Sequence, residues 1–142
     1  PPRSTLFPYT TLFRSHHFVP PNHFVPPARV VSALYRLYGD LLNVEWFEED
    51  ACYEAVFYHE EMETIARFNE EGELQVSKRN LPLHMARPAI ARQADMVGEL
   101  MNLIEINQHG VLYYEIIARD KYLDRFFLLV QEDGTVMEKR KL

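Results

Sequence analysis

The chain has 142 residues, of which 47% are hydrophobic and 25% are charged, and its formal net charge is −6 at pH 7. This acidic balance repels phosphate backbones, so we expect no nucleic-acid partner. No apolar run approaches the roughly 18 residues of a membrane-spanning helix. The single cysteine, Cys52, excludes an intramolecular disulfide and a cysteine-based metal cluster.

The first 22 residues differ in character from the rest of the chain. Arg3 to Ser15 read RSTLFPYTTLFRS, which resembles the in-frame translation of a sequencing adapter. HFVPP then occurs twice, at 17–21 and 23–27, and its prolines favour a stiff, extended segment. We interpret 1–22 as an artefactual or disordered segment and 23–142 as one domain. The genuine start, with any export signal, would then be missing.

A helix and four strands are predicted first. Apolar residues recur at helical intervals within 27–41, at Val30, Leu34, Leu37 and Leu41. Pro27 suits the first turn of this helix, and Gly39 suits its end. Segments rich in aromatic and β-branched residues then predict strands at 43–48, 52–59, 62–69 and 74–78, with connections short enough for antiparallel hairpins.

The same order of elements is predicted again in the second half. A helix is expected within 82–96, with Pro88 either at its first turn or kinking it. Strands are expected at 100–107, 111–119, 122–131 and 135–139.

The two halves are copies of one another. GDLLNVEWFEED at 39–50 returns as GELMNLIEINQH at 98–109, and YEAVF at 53–57 returns as YEIIA at 114–118. This pattern predicts two repeats, 26–81 and 82–142. Because a four-stranded sheet cannot bury its apolar face alone, we predict an α+β fold with two tandem α-β-β-β-β repeats. They would form one antiparallel sheet of about eight strands with two helices on one face.

These residues carry a resemblance to a known family. VPPARVVSALYRLYGDLLNVEW, then YEAVF and FNEEGEL, then a second round, resemble the beta-lactamase-inhibitor-like (BLIP-like), PepSY-like family of small secreted bacterial proteins, over 25–142. Glu105, Ala118 and Val130 depart from the pattern of the first copy, where Trp46, Phe57 and Phe68 stand. The resemblance implies a periplasmic or secreted binding or inhibitory module without catalytic residues.

No active site is predicted from the residues themselves. His59-Glu60-Glu61-Met62-Glu63 begins like a zinc-protease motif, but Glu63 replaces the second histidine and the stretch is typical of a hairpin. Cys52 is more typical of a small apolar strand residue than of a nucleophile. We therefore expect no enzyme activity, no metal and no cofactor.

The sheet face turned away from the helices is the predicted partner-binding surface. Strand alternation turns one set of side chains to that face, and this set mixes charges with apolar groups. An apolar area with a charged rim often marks a binding surface, although the same pairs could simply stabilise the sheet. The predicted partner-binding residues are Glu54, Val56, Tyr58, Ile65, Tyr113, Glu115, Ile117, Arg125 and Phe127.

Three functions stay open at this point. The first is a monomeric, non-enzymatic module that uses this face to bind an unidentified protein, with a secreted hydrolase as one candidate partner. The second is a small-ligand or peptide binder in a groove between the repeats, near 78–82. The third is a structural envelope protein that self-associates through an edge strand, against which the charges of 138–141 weigh because they are typical of edge protection.

Overall fold

The computed structural model describes residues 24–142, so the adapter-like segment predicted at 1–22 lies outside the described residues. The chain divides into two compact units, with the boundary between Arg79 and Asn80. The first unit contains one helix and four strands: α1 (Ala28–Tyr38), β1 (Glu45–Glu49), β2 (Cys52–His59), β3 (Met62–Phe68) and β4 (Leu74–Asn80).

The second unit repeats this order of elements. A short 3₁₀ turn at Leu83–Met85 precedes its helix, and the sequence pattern had not predicted that turn. The remaining elements are α2 (Pro88–Val97), β5 (Glu99–Gln108), β6 (Val111–Arg119), β7 (Arg125–Gln131) and β8 (Val136–Lys141).

The strands form an eight-stranded antiparallel sheet in the order β1 to β8, which confirms the predicted α+β class. Tight turns explain why consecutive strands pair. Asp50 and Ala51 both have positive φ angles, of 50° and 58°, and connect β1 to β2 in two residues. Two consecutive left-handed residues match the right-handed twist of an antiparallel hairpin.

Helix α1 packs on the sheet of the first unit through one apolar stripe. Val30, Ala33 and Leu34 are at most 2% exposed, at the spacing of one helical face. They contact a cluster that includes Tyr53, Ala55, Phe57, Ala66 and Phe68. Burying a leucine of this kind contributes about 1.5–3 kcal/mol.

Helix α2 begins where a proline favours helix initiation. Pro88 occupies the first helical position, where its missing N–H has no intrahelical partner to lose, so the proline starts the helix and does not kink it. Ile90 and Ala94, one turn apart, are at most 1% exposed. Arg87 precedes the helix and contributes to a polar cluster described below.

A glycine turn rests against the helix in each unit. Gly72 has φ +83°, and a Cβ there would lie 2.8 Å from the carbonyl oxygen of Arg29 in α1. Gly134 has φ +96°, and a Cβ there would lie 3.3 Å from Ala89 in α2. The left-handed backbone favours glycine at both positions, and the close approach to Arg29 is a second reason for glycine at position 72.

Candidate binding surface

In each unit the sheet has a face turned away from that unit's helix, here called the distal face. Because Ala55 and Phe57 face α1, strand alternation turns Glu54, Val56 and Tyr58 to the distal face. The pairing registers then assign the remaining distal residues. They include Phe47, Ile65, Val76 and Lys78 in the first unit, and Ile104, Ile106, Tyr113, Glu115, Ile117, Arg125 and Phe127 in the second.

The prediction that the distal face is exposed was wrong for six of the nine predicted binding residues. Each of these six is at most 4% exposed: Glu54, Val56, Ile65, Glu115, Ile117 and Phe127. Tyr58 is 64% exposed and Arg125 is also exposed, whereas Tyr113 is half-buried.

The buried centre of the distal face is largely apolar. In the first unit every strand contributes an apolar side chain, with Phe47 on β1, Val56 on β2, Ile65 on β3 and Val76 on β4. Removing this apolar surface from water is favourable, so the burial of these four side chains in one layer stabilises the folded chain. In the second unit Phe127 is covered in part by the Arg140 guanidinium, which lies 4.5 Å from the ring centroid.

The sequence interpretation missed four members of this layer because it considered only the middle strands of each repeat. Phe47, Val76, Ile104 and Ile106 are at most 7% exposed on the distal face of the outer strands. Extending the alternation to all eight strands would have found them. Consecutive buried apolar residues, such as Ala55, Val56 and Phe57 on β2 and Leu103 and Ile104 on β5, indicate strands that are buried on both faces.

Three charged side chains lie within this apolar layer. Glu54 and Glu115 are each 2% exposed, and Lys78 is 0% exposed. Each engages in at least one hydrogen bond, ion pair, ring contact or electrostatic interaction. Such engagement is expected because a buried charge without compensation would be strongly unfavourable. These residues therefore belong to the scaffold of the face.

The side chain of Tyr58 projects from this buried layer into solvent. It sits one residue before the end of β2, opposite Glu63 on β3. Val56, two residues earlier on the same face, is 4% exposed. The geometry therefore holds a large aromatic ring at the surface on a rigid base.

Tyr113 lines an open depression in the second unit. The depression has a volume of about 440 Å³ and is formed by the first residues of β6 and the β7–β8 turn. Its lining residues are Val111, Leu112, Tyr113, Gln131, Glu132 and Asp133. Backbone and side-chain hydrogen bonds with Thr135 lower the pKa of Asp133, so this carboxylate is charged at neutral pH. The rim of the depression is therefore acidic.

A polar cluster joins the start of α2 to the sheet. The Tyr114 hydroxyl donates to Glu105 Oε2 at 3.2 Å, and Arg87 Nη1 donates to Glu132 Oε2 at 2.7 Å. Burial, and next the nearby Glu105 carboxylate, raise the pKa of Tyr114. Glu105 replaces the Trp46 of the first copy, and this hydrogen bond gives the departure from the repeat a structural reason.

The histidine-glutamate stretch at 59–63 is a β-hairpin, as predicted. β2 ends at His59 and β3 begins at Met62, and Glu60 and Glu61 have φ angles of 52° and 66°. The His59 ring packs edge-on against Tyr38, with centroids 5.1 Å apart. Helical spacing of metal ligands is therefore not possible here. Within residues 24–142, no group of three or more metal-ligating side chains is found.

None of the helices between residues 24 and 142 has the length and apolar character needed to span a membrane.

Comparison with known proteins identifies the fold. No family model matches the chain, and no curated protein is similar to it in sequence. Among solved structures, a DUF2874 family protein from Bacteroides uniformis matches with a TM-score of 0.73 at 17% identity, over 82% of this chain and 90% of that chain.

Two further solved structures agree with this match. A protein from Bacteroides eggerthii, named as a candidate periplasmic protein, has a TM-score of 0.74 at 16% identity, over 83% of this chain and 90% of that chain. A BLIP-like protein from Bacteroides fragilis has a TM-score of 0.68 at 14% identity, over 84% and 88%. The chain therefore has the fold of the BLIP-like and DUF2874 proteins, which confirms the resemblance inferred from its sequence.

Proposed function

We propose that this chain is a non-enzymatic binding module that acts outside the cytoplasm and engages a protein partner through the distal face. Two comparisons with solved structures support this functional class, a binding module outside the cytoplasm. One structural neighbour is named BLIP-like and another is named as a candidate periplasmic protein. A secreted hydrolase is the partner class that the inhibitor-like resemblance implies.

The single observation that carries the proposal is the exposure of Tyr58 on a face whose centre is packed. A rigid aromatic side chain of this kind loses little conformational entropy on binding and provides a large contact area. Tyr113 and Arg125 are the other predicted residues that reach the surface. The six buried residues of the predicted set then support the contact surface and do not touch the partner.

The test is capture of a partner by the immobilised full chain from a periplasmic extract of a Bacteroides species. The variants are Tyr58→Ala and Tyr113→Ala, alone and together. Tyr122→Ala is the matched control, because Tyr122 is 73% exposed but lies in the β6–β7 turn, outside the strands that form the distal face. We expect the double variant to lose the partner and the control to retain it.

The identity and activity of the captured protein decide whether the chain acts as an inhibitor. If the partner is a hydrolase, titration with the chain should lower its activity to a plateau near one equivalent, as expected for a stoichiometric inhibitor. Equal capture by all variants would refute the assignment to Tyr58 and Tyr113. Absence of any protein partner would favour the alternative of a small-ligand or peptide binder.

A further inference from the structure

The outer edge of β1 offers backbone groups for strand addition. The two-residue turn after Glu49 makes Glu49 and Cys52 a hydrogen-bonded pair, so alternate residues of β1 bond to β2. Trp46 and Glu48 therefore direct their N–H and C=O groups away from β2. Among residues 24–142, β1 pairs with β2 alone.

The outer edge of β8 has the same arrangement. The N–H of Leu142 donates to the carbonyl of Arg125 at 2.8 Å, which makes that pair hydrogen-bonded. Alternation along the β7–β8 register then directs the N–H and C=O groups of Lys139 and Lys141 away from β7. Within the described part of the chain, β8 pairs with β7 only.

The two edges have opposite charge. β1 contains three glutamates, at 45, 48 and 49, and no basic residue. β8 contains Lys139, Arg140 and Lys141 against a single acidic residue, Glu138. Glu48, Lys139 and Lys141 are exposed. Each already has a contact within its own copy. The Tyr53 hydroxyl donates to the Glu48 carboxylate, Lys139 Nζ lies 5.5 Å from the centroid of the Phe126 ring, and Lys141 Nζ lies 3.4 Å from Asp124 Oδ2.

The side chains at the two outer edges also lie on matching faces. Trp46 and Glu48 are opposite Ala55 and Tyr53 of β2, which face α1. Lys139 is opposite Leu128, and Leu128 is opposite Ile116. Ile116 shares its face of β6 with Tyr114, whose side chain interacts with Arg87 at the start of α2. In both units the outward-bonding residues therefore place their side chains on the helix side.

We propose that β8 of one copy adds in antiparallel orientation to β1 of a second copy of this chain. Residues directly opposite in an antiparallel pair share a face. The register that aligns all four outward residues places Glu48 opposite Lys139 and Trp46 opposite Lys141, and the opposite charges of Glu48 and Lys139 stabilise the pair. Each edge repels an identical edge, because β1 against β1 brings glutamates together and β8 against β8 brings lysines together.

This contact uses two different surfaces of the same molecule. Each copy gives β8 to one neighbour and accepts another at β1, so association continues beyond a dimer into rings or open chains. The inference goes beyond the proposed function, because it concerns the sheet edges and needs no partner other than the chain itself.

Sedimentation velocity of the purified full chain over a range of concentrations tests the proposal. We expect species larger than a dimer at about 0.1 M salt and their loss at about 1 M salt, because the Debye length falls from about 10 Å to about 3 Å. Glu48→Lys should weaken association about tenfold, since it exchanges an opposite-charge pair for a like-charge pair. Glu71→Lys, in an exposed turn, changes the net charge equally and should leave association unchanged.

A mixing experiment separates edge pairing from misfolding. The Glu48→Lys variant has lost its acidic edge, and a Lys139→Glu, Lys141→Glu variant has lost its basic edge. Each variant alone should associate at least about tenfold more weakly than the wild type, but a mixture should associate, because each supplies the edge that the other lacks. A wild-type chain that stays monomeric at about 0.1 M salt, or a mixture that stays monomeric, would overturn the proposal.

Discussion

Replacing Ile65 by alanine tests whether the distal face is a packed layer. Ile65 is 0% exposed on β3 and lies opposite Val56 on β2 and Lys78 on β4. If this face were an open binding surface, removing the side chain would change the free energy of unfolding little. If it is a second core, the same change leaves a cavity among buried neighbours.

The expected magnitude follows from the atoms removed. Isoleucine to alanine removes three carbons, which at about 0.8 kcal/mol per buried methylene is about 2.4 kcal/mol. The residual cavity adds to this transfer free energy, and buried isoleucine-to-alanine changes cost about 2–5 kcal/mol. We expect Ile65→Ala to lower the free energy of unfolding by about 3 kcal/mol.

Urea unfolding measures this loss, with far-UV circular dichroism and the fluorescence of Trp46, the one tryptophan, as two probes. Trp46 reports on the first unit, since its ring lies 6.5 Å from that of Phe68. For a chain of this size the melting temperature should fall by about 6–12 °C.

The control for Ile65→Ala is Tyr58→Ala, on the same face but 64% exposed. It should cost less than about 1 kcal/mol, as surface substitutions usually do. The argument for a buried layer fails if Ile65→Ala is no more destabilising than Tyr58→Ala.

Two further predictions concern the glycine turn and the polar cluster. Gly72→Ala should lower the free energy of unfolding by about 1–2 kcal/mol because of the left-handed backbone at this position. The clash of the new Cβ with the Arg29 carbonyl should lower it further. Gly110→Ala, at φ +85° with open space around it, should show the backbone cost alone, and equal losses in urea unfolding would contradict the docking of the turn on α1. Tyr114→Phe should cost about 1 kcal/mol at pH 7, because it removes the hydrogen bond to Glu105. Because burial raises the pKa of Tyr114 in the folded chain, its stabilising contribution is complete below the unfolded pKa near 10 and is lost as pH rises through the folded pKa. The wild type should therefore lose stability more steeply above pH 10 than Tyr114→Phe, and parallel stability curves would contradict this linkage.

The sequence pattern predicted most of the helices and strands, because the interactions that form them involve residues close together in the chain. The helical spacing of Val30 and Leu34, and the short connections between strands, depend on neighbouring residues alone. One strand was predicted three residues too long at its start, at 122–124. The Asp120 carboxylate accepts hydrogen bonds from the N–H groups of Tyr122 and Asp124, and Leu123 has φ 67°, so this segment forms a turn.

The candidate site was harder to predict than the fold. Strand alternation correctly placed Val56, Tyr58 and Ile65 on one face of the sheet, but it does not predict whether that face is exposed to solvent. Burial differs sharply between Val56 and Tyr58, which are two residues apart on the same strand. Val56 lies opposite the buried Ile65 on β3, whereas Tyr58 lies opposite Glu63, one residue before the end of β2.

The sequence by itself determined the repeat, the order of helices and strands, and the two faces of each strand, since chain connectivity and side-chain alternation act over a few residues. Only the tertiary structure decided that the distal face is largely buried and that Tyr58 stays exposed. It also decided that β1 and β8 direct backbone groups outward. Burial depends on residues that are distant in the chain, and the edge positions of β1 and β8 depend on the order of all eight strands, so no local pattern contains them.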